Sequence, residues 1–314
     1  MLPPTQPVAV VFGGTRIGNR ELFMPDTHLE TFLTTLSRHH VTKIDTAQAY
    51  GNSETTLGRI QAGSRFTIDT KWSPSSWTKS SIPWATNERI TRSAEESINN
   101  LAIDQVDIFY LHRPDPLTPI SETLAAVNTI HKRGVFRRFG LSGFPATEIE
   151  AIYNHCAEHS YPLPVVYQGS YNPLDRHKES GLLLTLRRLD ISFYAYGTSA
   201  GGFLGKSVAQ AEEMGDNNAI VSATCRPYLH NSKFLKTLDQ WNNIAEIEGV
   251  SPAELTYRWV AYHSALRLDH GDAFIIGASS PEQLDETLSG IEKGPLSDNA
   301  CASIHEIWEK LKEE

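Results

Sequence analysis

The stretch Lys43-Ile44-Asp45-Thr46-Ala47-Gln48-Ala49-Tyr50-Gly51-Asn52-Ser53-Glu54 opens on a short β-prone run that ends in a carboxylate, with a phenol and a glycine close behind. Two later stretches repeat the arrangement. Phe66-Thr67-Ile68-Asp69-Thr70-Lys71 ends on an ammonium, and Val106-Asp107-Ile108-Phe109-Tyr110-Leu111-His112 ends on an imidazole. Outward from these, eight short apolar runs alternate with amphipathic stretches: Val8 to Phe12, Lys43 to Asp45, Phe66 to Lys71, Val106 to His112, Arg138 to Ser142, Val165 to Gln168, Ile191 to Tyr196 and Ala273 to Ile276. Such alternation is the pattern of βαβ units feeding a parallel sheet. Eight strands with helices between them predict a (β/α)8 TIM barrel, and the 314 residues fit one domain, because barrels run to about 250 residues or more as a single unit.

Pro83, Pro119, Pro145 and the pair Ser251-Pro252 predict the starts of helices reaching Leu101, Lys132, Glu158 and Ser264, since proline suits a first helical turn. A last helix is predicted over about Ser297 to Lys312, where Ile304, Ile307, Trp308 and Leu311 form an i, i+3, i+4, i+7 stripe. The stretch from Gly197 to about Asn231 carries no assigned element and is expected to fold over the site. In barrels the chemistry gathers at the C-terminal ends of the strands. Asp45, Lys71, His112, Ser142, Gln168 and Tyr196 each end a run, and Gly277 follows the eighth.

The composition, 40% hydrophobic and 21% charged, provides for one large core. A net charge of −9, from 28 basic and 37 acidic residues with no Lys/Arg cluster, argues against nucleic acid and for a small-molecule ligand. Cys156, Cys225 and Cys301 are too scattered for a disulfide framework or zinc ribbon and are expected to be buried thiols in a reducing compartment. No leader pattern and no membrane-spanning apolar stretch is found, so the cytosol is the expected location.

A phenol beside an ammonium, a carboxylate and an imidazole is a proton donor for a carbonyl. Hydride transfer to a carbonyl builds negative charge on oxygen, and a positioned acid lowers that barrier. Tyrosine, with a reference pKa of about 10, is a weak acid; a cation beside it favours the phenolate and lowers that value. Lys71 is expected to supply this charge, Asp45 to hold Lys71 as an ion pair, and His112 to hydrogen-bond the carbonyl oxygen. Asp45, Tyr50, Lys71 and His112 resemble, residue for residue, the catalytic tetrad of the aldo-keto reductases. Tyr167-Gln168-Gly169-Ser170-Tyr171-Asn172 and Ala200-Gly201-Gly202-Phe203-Leu204 are similar to the aflatoxin aldehyde reductase branch.

The resemblance implies NADPH-dependent reduction of an aldehyde or ketone, with a nucleotide site that lacks the Gly-x-Gly-x-x-Gly turn. Ser142 matches the serine that hydrogen-bonds the nicotinamide amide, with Gly143 where asparagine is usual. Gln168 matches the glutamine that holds the carboxamide from the other side, and Tyr196 the aromatic residue that stacks on the nicotinamide ring. The segment from Ile275 to Glu286 is similar to the adenosine-phosphate motif, which carries over Gly277, Ser279, Gln283 and Glu286, with Thr287 in place of the frequent asparagine. No basic residue stands inside it, so NADP over NAD rests on the family's habit. Gly201, Gly205 and Lys206 lie in a Gly-rich loop expected to offer amides to a pyrophosphate.

That loop, Ala200 to Ser207, is one residue from a Walker A motif, which makes a P-loop NTPase a remote rival. A nucleotide-binding regulatory subunit of the same fold, with slow turnover, is the nearer alternative. His155-Cys156-Ala157-Glu158-His159 fits an inverted zinc-protease pattern, but it is placed on an outer helix, and no metal is expected. Phe23, Trp72 and Trp77 are candidate pocket residues from their loop positions. Arg113, where the branch commonly has a small residue, is expected to line the pocket as an anion partner in place of the branch's arginine-bearing tail; pairing with Asp115 or stacking on surface aromatics is the alternative. A monomer or homodimer is expected.

Overall fold

The computed structural model describes residues 6–17, 26–73, 82–216, 224–229 and 231–313, and the candidate pocket residues Phe23 and Trp77 lie outside them. Eight parallel strands follow one another around a closed barrel: β1 (Ala9–Gly13), β2 (Lys43–Asp45), β3 (Thr67–Trp72), β4 (Val106–Leu111), β5 (Phe136–Ser142), β6 (Pro164–Ser170), β7 (Ser192–Tyr196) and β8 (Ala273–Ile276). Pairing of β1 with β8, from Ala9↔Ala273 to Phe12↔Ile276, closes the ring. The (β/α)8 TIM barrel read from the sequence is therefore the architecture, with strand ends displaced by two residues at most.

Side chains alternate across each strand, and the barrel sorts them into two cores. Val11, Ile108, Tyr110, Val166, Tyr194, Ala273 and Ile275 pack along the axis. Their neighbours in sequence, among them Phe12, Phe109, Phe193 and Phe274, belong to the larger core under the helices. Gly140 on β5 makes room for the axial Tyr110, since a Cβ there would lie 2.3 Å from that ring. Barrel interiors are commonly filled with branched apolar residues; this one also encloses charge. At its floor Asp107 accepts from Lys43 Nζ at 2.9 Å and from Arg138 Nε and Nη2 at 3.0 and 2.6 Å. Burial would raise the Asp107 carboxyl, but these two cations hold it below the usual range.

The helices are α1 (Asp26–Arg38), α2 (Ser53–Arg59), α3 (Asn87–Leu101), α4 (Ile120–Lys132), α5 (Ala146–Glu158), α6 (Leu182–Arg188), α7 (Val208–Asp216), α8 (Arg226–Leu229), α9 (Ser232–Glu248), α10 (Pro252–Tyr262), α11 (Pro281–Glu292) and α12 (Asp298–Glu313). Of the four proline start signals, Pro252 alone takes a first-turn position, behind a Ser251 side chain that accepts from Glu254 N at 3.1 Å. Pro119 and Pro145 are caps instead. Pro83 lies outside α3, which starts four residues later: Asp115 accepts from both Trp84 N and Ala85 N at 2.9 Å, and Thr123 Oγ1 donates to Ala85 O at 3.0 Å. Those tertiary bonds hold the segment out of the helix.

The stretch left unassigned after Gly197 is substantially structured. It holds a 3₁₀ turn, Ala200–Gly205, then α7 and α8, and buries Phe203, Leu204, Ala211 and Tyr228. No described helix is long and apolar enough to cross a membrane. Cys156 and Cys225 are buried thiols, as expected, while Cys301 is half-buried.

Candidate active site

Asp45 closes β2 and Lys71 lies one residue before the end of β3, both facing inward at the C-terminal mouth. Lys71 Nζ donates to Asp45 Oδ1 at 2.6 Å, to Oδ2 at 2.5 Å and to Thr46 O at 2.8 Å. These bonds, with a hydrogen bond to the Tyr50 hydroxyl, hold the ammonium in a site with no solvent contact (Lys71 is 0% exposed). Burial acts to lower the Lys71 pKa, but the Asp45 carboxylate outweighs it and the net displacement is upward. The Lys71 ammonium stays charged at neutral pH.

The turn after β2 delivers Tyr50. Tyr50 N bonds to Ala47 O at 3.0 Å, Ser53 N bonds to Tyr50 O at 3.1 Å, and Gly51 takes the left-handed φ of +57°. Thr46 Oγ1 donates to Ser53 Oγ at 2.7 Å, Ser53 Oγ to Gly14 O at 3.0 Å, and Thr70 Oγ1 to Glu54 Oε1 at 2.6 Å. The polar residues that follow Tyr50 thus anchor the turn to the loop after β1 and to β3. Lys71 Nζ lies 5.1 Å from the Tyr50 ring centre, and the His112 ring meets that ring edge-on at 5.9 Å and 80°. The structure brings all four residues together.

The electrostatics differ from the sequence expectation in one respect. Burial raises the Tyr50 pKa; Lys71 pulls it back only partly, because the Asp45 carboxylate offsets the ammonium. The phenol is protonated at neutral pH, and its pKa moves up where the sequence reading has it move down. His112 moves the other way: burial, then the positive charges of Lys71 and Arg113, bring it down to about 3. It is a neutral imidazole, able to donate a hydrogen bond but not to act as a cationic acid.

Ser142 ends β5, buried, and Gly143 beyond it has φ +76°, a left-handed conformation that glycine and asparagine share more readily than other residues. Gln168 stands two residues inside the end of β6 and donates its amide to Asp45 Oδ1 at 2.8 Å. Tyr196 ends β7 at the rim and is 38% exposed. Beyond β8, Ser280 caps α11 by accepting from Gln283 N at 3.2 Å, and Ser279 N donates to Gln283 Oε1 at 2.7 Å. A Cβ on Gly277 would meet nothing within 4 Å, so that backbone borders open space. Glu286 is exposed on α11, whereas Thr287 turns inward and is buried. In the Gly-rich loop Gly201 and Gly202 take φ of 68° and 97°, and Lys206 is half-buried at its end. The closed barrel lacks the doubly wound sheet of a P-loop protein.

Four residues that sequence reasoning passed over complete the site. Thr15 hydrogen-bonds the Tyr50 hydroxyl. Arg16 Nη1 donates to Ser279 Oγ at 2.6 Å, which brings a cation to the segment that lacks one of its own. Ser73 Oγ bonds His112 Nδ1, and Gln48 accepts from Ser73 N at 3.3 Å. Ser73 was within reach of the sequence, because it lies two residues past Lys71 and continues the inward face; nothing local points to Arg16. Trp72 belongs elsewhere: it faces outward and stacks on Trp84 at 4.6 Å and 16°, in the core between sheet and helices. Arg113 is half-buried beside Gly143, and Asp115 is occupied by the amides of residues 84, 85 and 117 and by the Thr118 hydroxyl. His155 on α5 and His159 just past its end stack on each other at 4.1 Å.

Comparison with known proteins agrees with this geometry. The sequence model described as "Aldo/keto reductase family" matches residues 9–309. The oxidoreductase sirO of Leptosphaeria maculans is 33% identical, over 100% of this chain and 98% of its own length. Human aflatoxin B1 aldehyde reductase member 2 is 34% identical, over 99% of this chain and 89% of its own. An aldo-keto reductase of Pseudocercospora fijiensis is 34% identical, over 89% and 97%. With a match that runs from β1 into the last helix and a four-residue cluster assembled at the barrel mouth, the chain belongs to the aldo/keto reductase family and is an oxidoreductase by kind.

Proposed function

We propose that the protein reduces the carbonyl group of an aldehyde or ketone to an alcohol with NADPH, and that Tyr50 gives the proton. The observation that carries this reading is the cluster at the mouth: a protonated phenol above an ion-paired ammonium, edge-on to a neutral imidazole. When bound, NADPH supplies the hydride. The chain's own residues manage the charge that then builds on oxygen. His112 donates a hydrogen bond to it, Tyr50 O–H transfers its proton, and Lys71 stabilises the phenolate left behind. Asp45 holds Lys71 in place throughout.

The residues at the rim fit such a nucleotide. The Gln168 amide nitrogen is committed to Asp45, which leaves Oε1 to accept from the carboxamide; Ser142 supports the same group. Tyr196 offers an exposed aromatic face, and Gly277, Ser279, Gln283 and Glu286 lie along the start of α11 for the adenosine end. Gly201, Gly205 and Lys206 line the loop assigned to the pyrophosphate. Arg16 on Ser279 supplies the cation that favours the additional phosphate of NADPH over NADH. Arg113, whose charge reaches His112, suits a substrate that carries a carboxylate.

The test is loss of reduced-nicotinamide absorbance with nitrobenzaldehyde and succinic semialdehyde, for the wild type and Arg113→Ala. Turnover of both by the wild type is expected, with Arg113→Ala impaired on succinic semialdehyde alone. Nucleotide binding without turnover would replace this reading with the regulatory one, and equal losses on both aldehydes would remove the role of Arg113.

A further inference from the structure

The imidazole of His112 has two nitrogens, and in the neutral ring one donates while the other accepts. Only the tautomer with the proton on Nε2 can donate from the nitrogen opposite Nδ1. A neutral histidine left to itself exchanges between both forms, so a site that depends on donation gains from whatever fixes the ring. Among the described residues, the hydroxyl that meets Nδ1 belongs to Ser73, at 2.5 Å, on a side chain 8% exposed.

Ser73 is itself held. Its backbone N donates to Gln48 Oε1 at 3.3 Å, while Gln48 Nε2 donates to Ser93 O and to Ser97 Oγ, both at 2.8 Å. A backbone carbonyl can only accept and a backbone amide can only donate, so these partners fix which way round the Gln48 amide lies. Gln48 N bonds to Lys71 O at 3.3 Å and His112 N to Trp72 O at 3.2 Å, which ties the segment to β3 on one side and to the end of β4 on the other. Among the described residues the Ser73 hydroxyl has no acceptor other than Nδ1. A buried hydroxyl that withheld its proton would be left unsatisfied, at a cost.

We propose that Ser73 is a positioning residue: its hydroxyl, set by Gln48, donates to Nδ1 of His112 and fixes the tautomer that carries its proton on Nε2, the nitrogen that donates to a carbonyl oxygen. The inference rests on the carbonyl-reductase reading for its purpose, but not for its geometry. Ser73 touches neither substrate nor nucleotide; it acts through the imidazole. No proton leaves the Ser73–His112 pair during the reaction, since the ring is a neutral donor before and after and the transferred proton comes from Tyr50.

The experiment is a long-range ¹H–¹⁵N correlation on the ring nitrogens of His112 in the wild type, Ser73→Ala and Ser73→Thr, with kcat and KM measured on the same proteins. The wild type is expected to show a single neutral tautomer, protonated on Nε2, across neutral and mildly alkaline pH. Ser73→Ala is expected to show mixed tautomers and a kcat reduced about 10-fold with KM little changed, the scale of one hydrogen bond; Ser73→Thr restores both. Protonation on Nδ1 in the wild type overturns the proposal even if Ser73→Ala fails to fold. So does Ser73→Ala with unchanged tautomer or unchanged kcat, and so does a loss of kcat that Ser73→Thr does not restore. A wild type with the Nε2–H tautomer, lost in Ser73→Ala, but without activity on any carbonyl supports the positioning role and strikes the reductase reading alone.

Discussion

Asp69 lies inside the barrel with 0% exposure, one oxygen accepting from Ile108 N at 3.1 Å and the other, Oδ2, without a partner among the described residues. Burial drives its pKa up to about 8; Lys43 and Arg138 pull against that, and Asp107 and Asp45 add to it. The ordinary aspartate value is about 4. Between about pH 4 and about pH 8 the folded protein therefore keeps a proton that the unfolded chain releases, so stability falls as pH rises through this window and levels off above it. A displacement of about four units at about 1.4 kcal/mol each sets an upper bound of about 6 kcal/mol, and dielectric response inside proteins reduces it to a few kcal/mol. Asp69→Asn keeps an acceptor for Ile108 N and removes the titration. Urea unfolding of both proteins at several pH values from about 5 to about 8 should show the variant gaining on the wild type by up to about 1.4 kcal/mol per pH unit. Curves that run parallel, or a wild type that gains on the variant as pH rises, would refute the assignment of a neutral buried acid.

Two further outcomes follow from the ion pair and the rim. Lys71→Met removes the ammonium and leaves the buried Asp45 without its cation, so unfolding free energy should drop by about 3–5 kcal/mol together with loss of turnover; a change below about 1 kcal/mol in a urea melt would show that the pair is better solvated than its burial implies. Arg16→Ala should raise KM for NADPH by about tenfold, the scale of one charge-assisted hydrogen bond, and leave KM for NADH unchanged. Equal changes for both nucleotides would remove Arg16 from the discrimination.

What the sequence revealed and what it concealed divide along physical lines. The barrel was legible because a short β-prone run followed by an amphipathic stretch is a local pattern, repeated eight times. Asp45, Lys71 and His112 were legible for the same reason, and Tyr50 because the Tyr-Gly pair at residues 50 and 51 forms the turn that presents it. Trp72 was misplaced through neglect of parity: adjacent residues on a strand face opposite ways, so an inward Lys71 forces Trp72 outward. The same rule, carried on to Ser73, would have placed it beside His112. The direction of the Tyr50 pKa was missed because the sequence shows the lysine and its carboxylate partner but not the burial of the phenol, which is the largest cause of the shift. Arg16, Gln48 and Thr15 owe their roles to bonds between different loops, and the early break before α3 to bonds from Asp115 and Thr123; no local pattern carries such information.

The central claim is that Tyr50 is the proton donor of a carbonyl reductase. Tyr50→Phe removes one hydroxyl and keeps the ring that packs against Lys71 and His112. The most direct measurement sets NADPH binding, followed by nucleotide fluorescence, beside steady-state reduction of nitrobenzaldehyde for the wild type and this variant. Binding within about twofold of the wild type and turnover reduced by about 10²–10⁴-fold, the contribution of a positioned general acid, are the predicted result. A variant that binds NADPH and keeps its turnover within about tenfold of the wild type would contradict the claim.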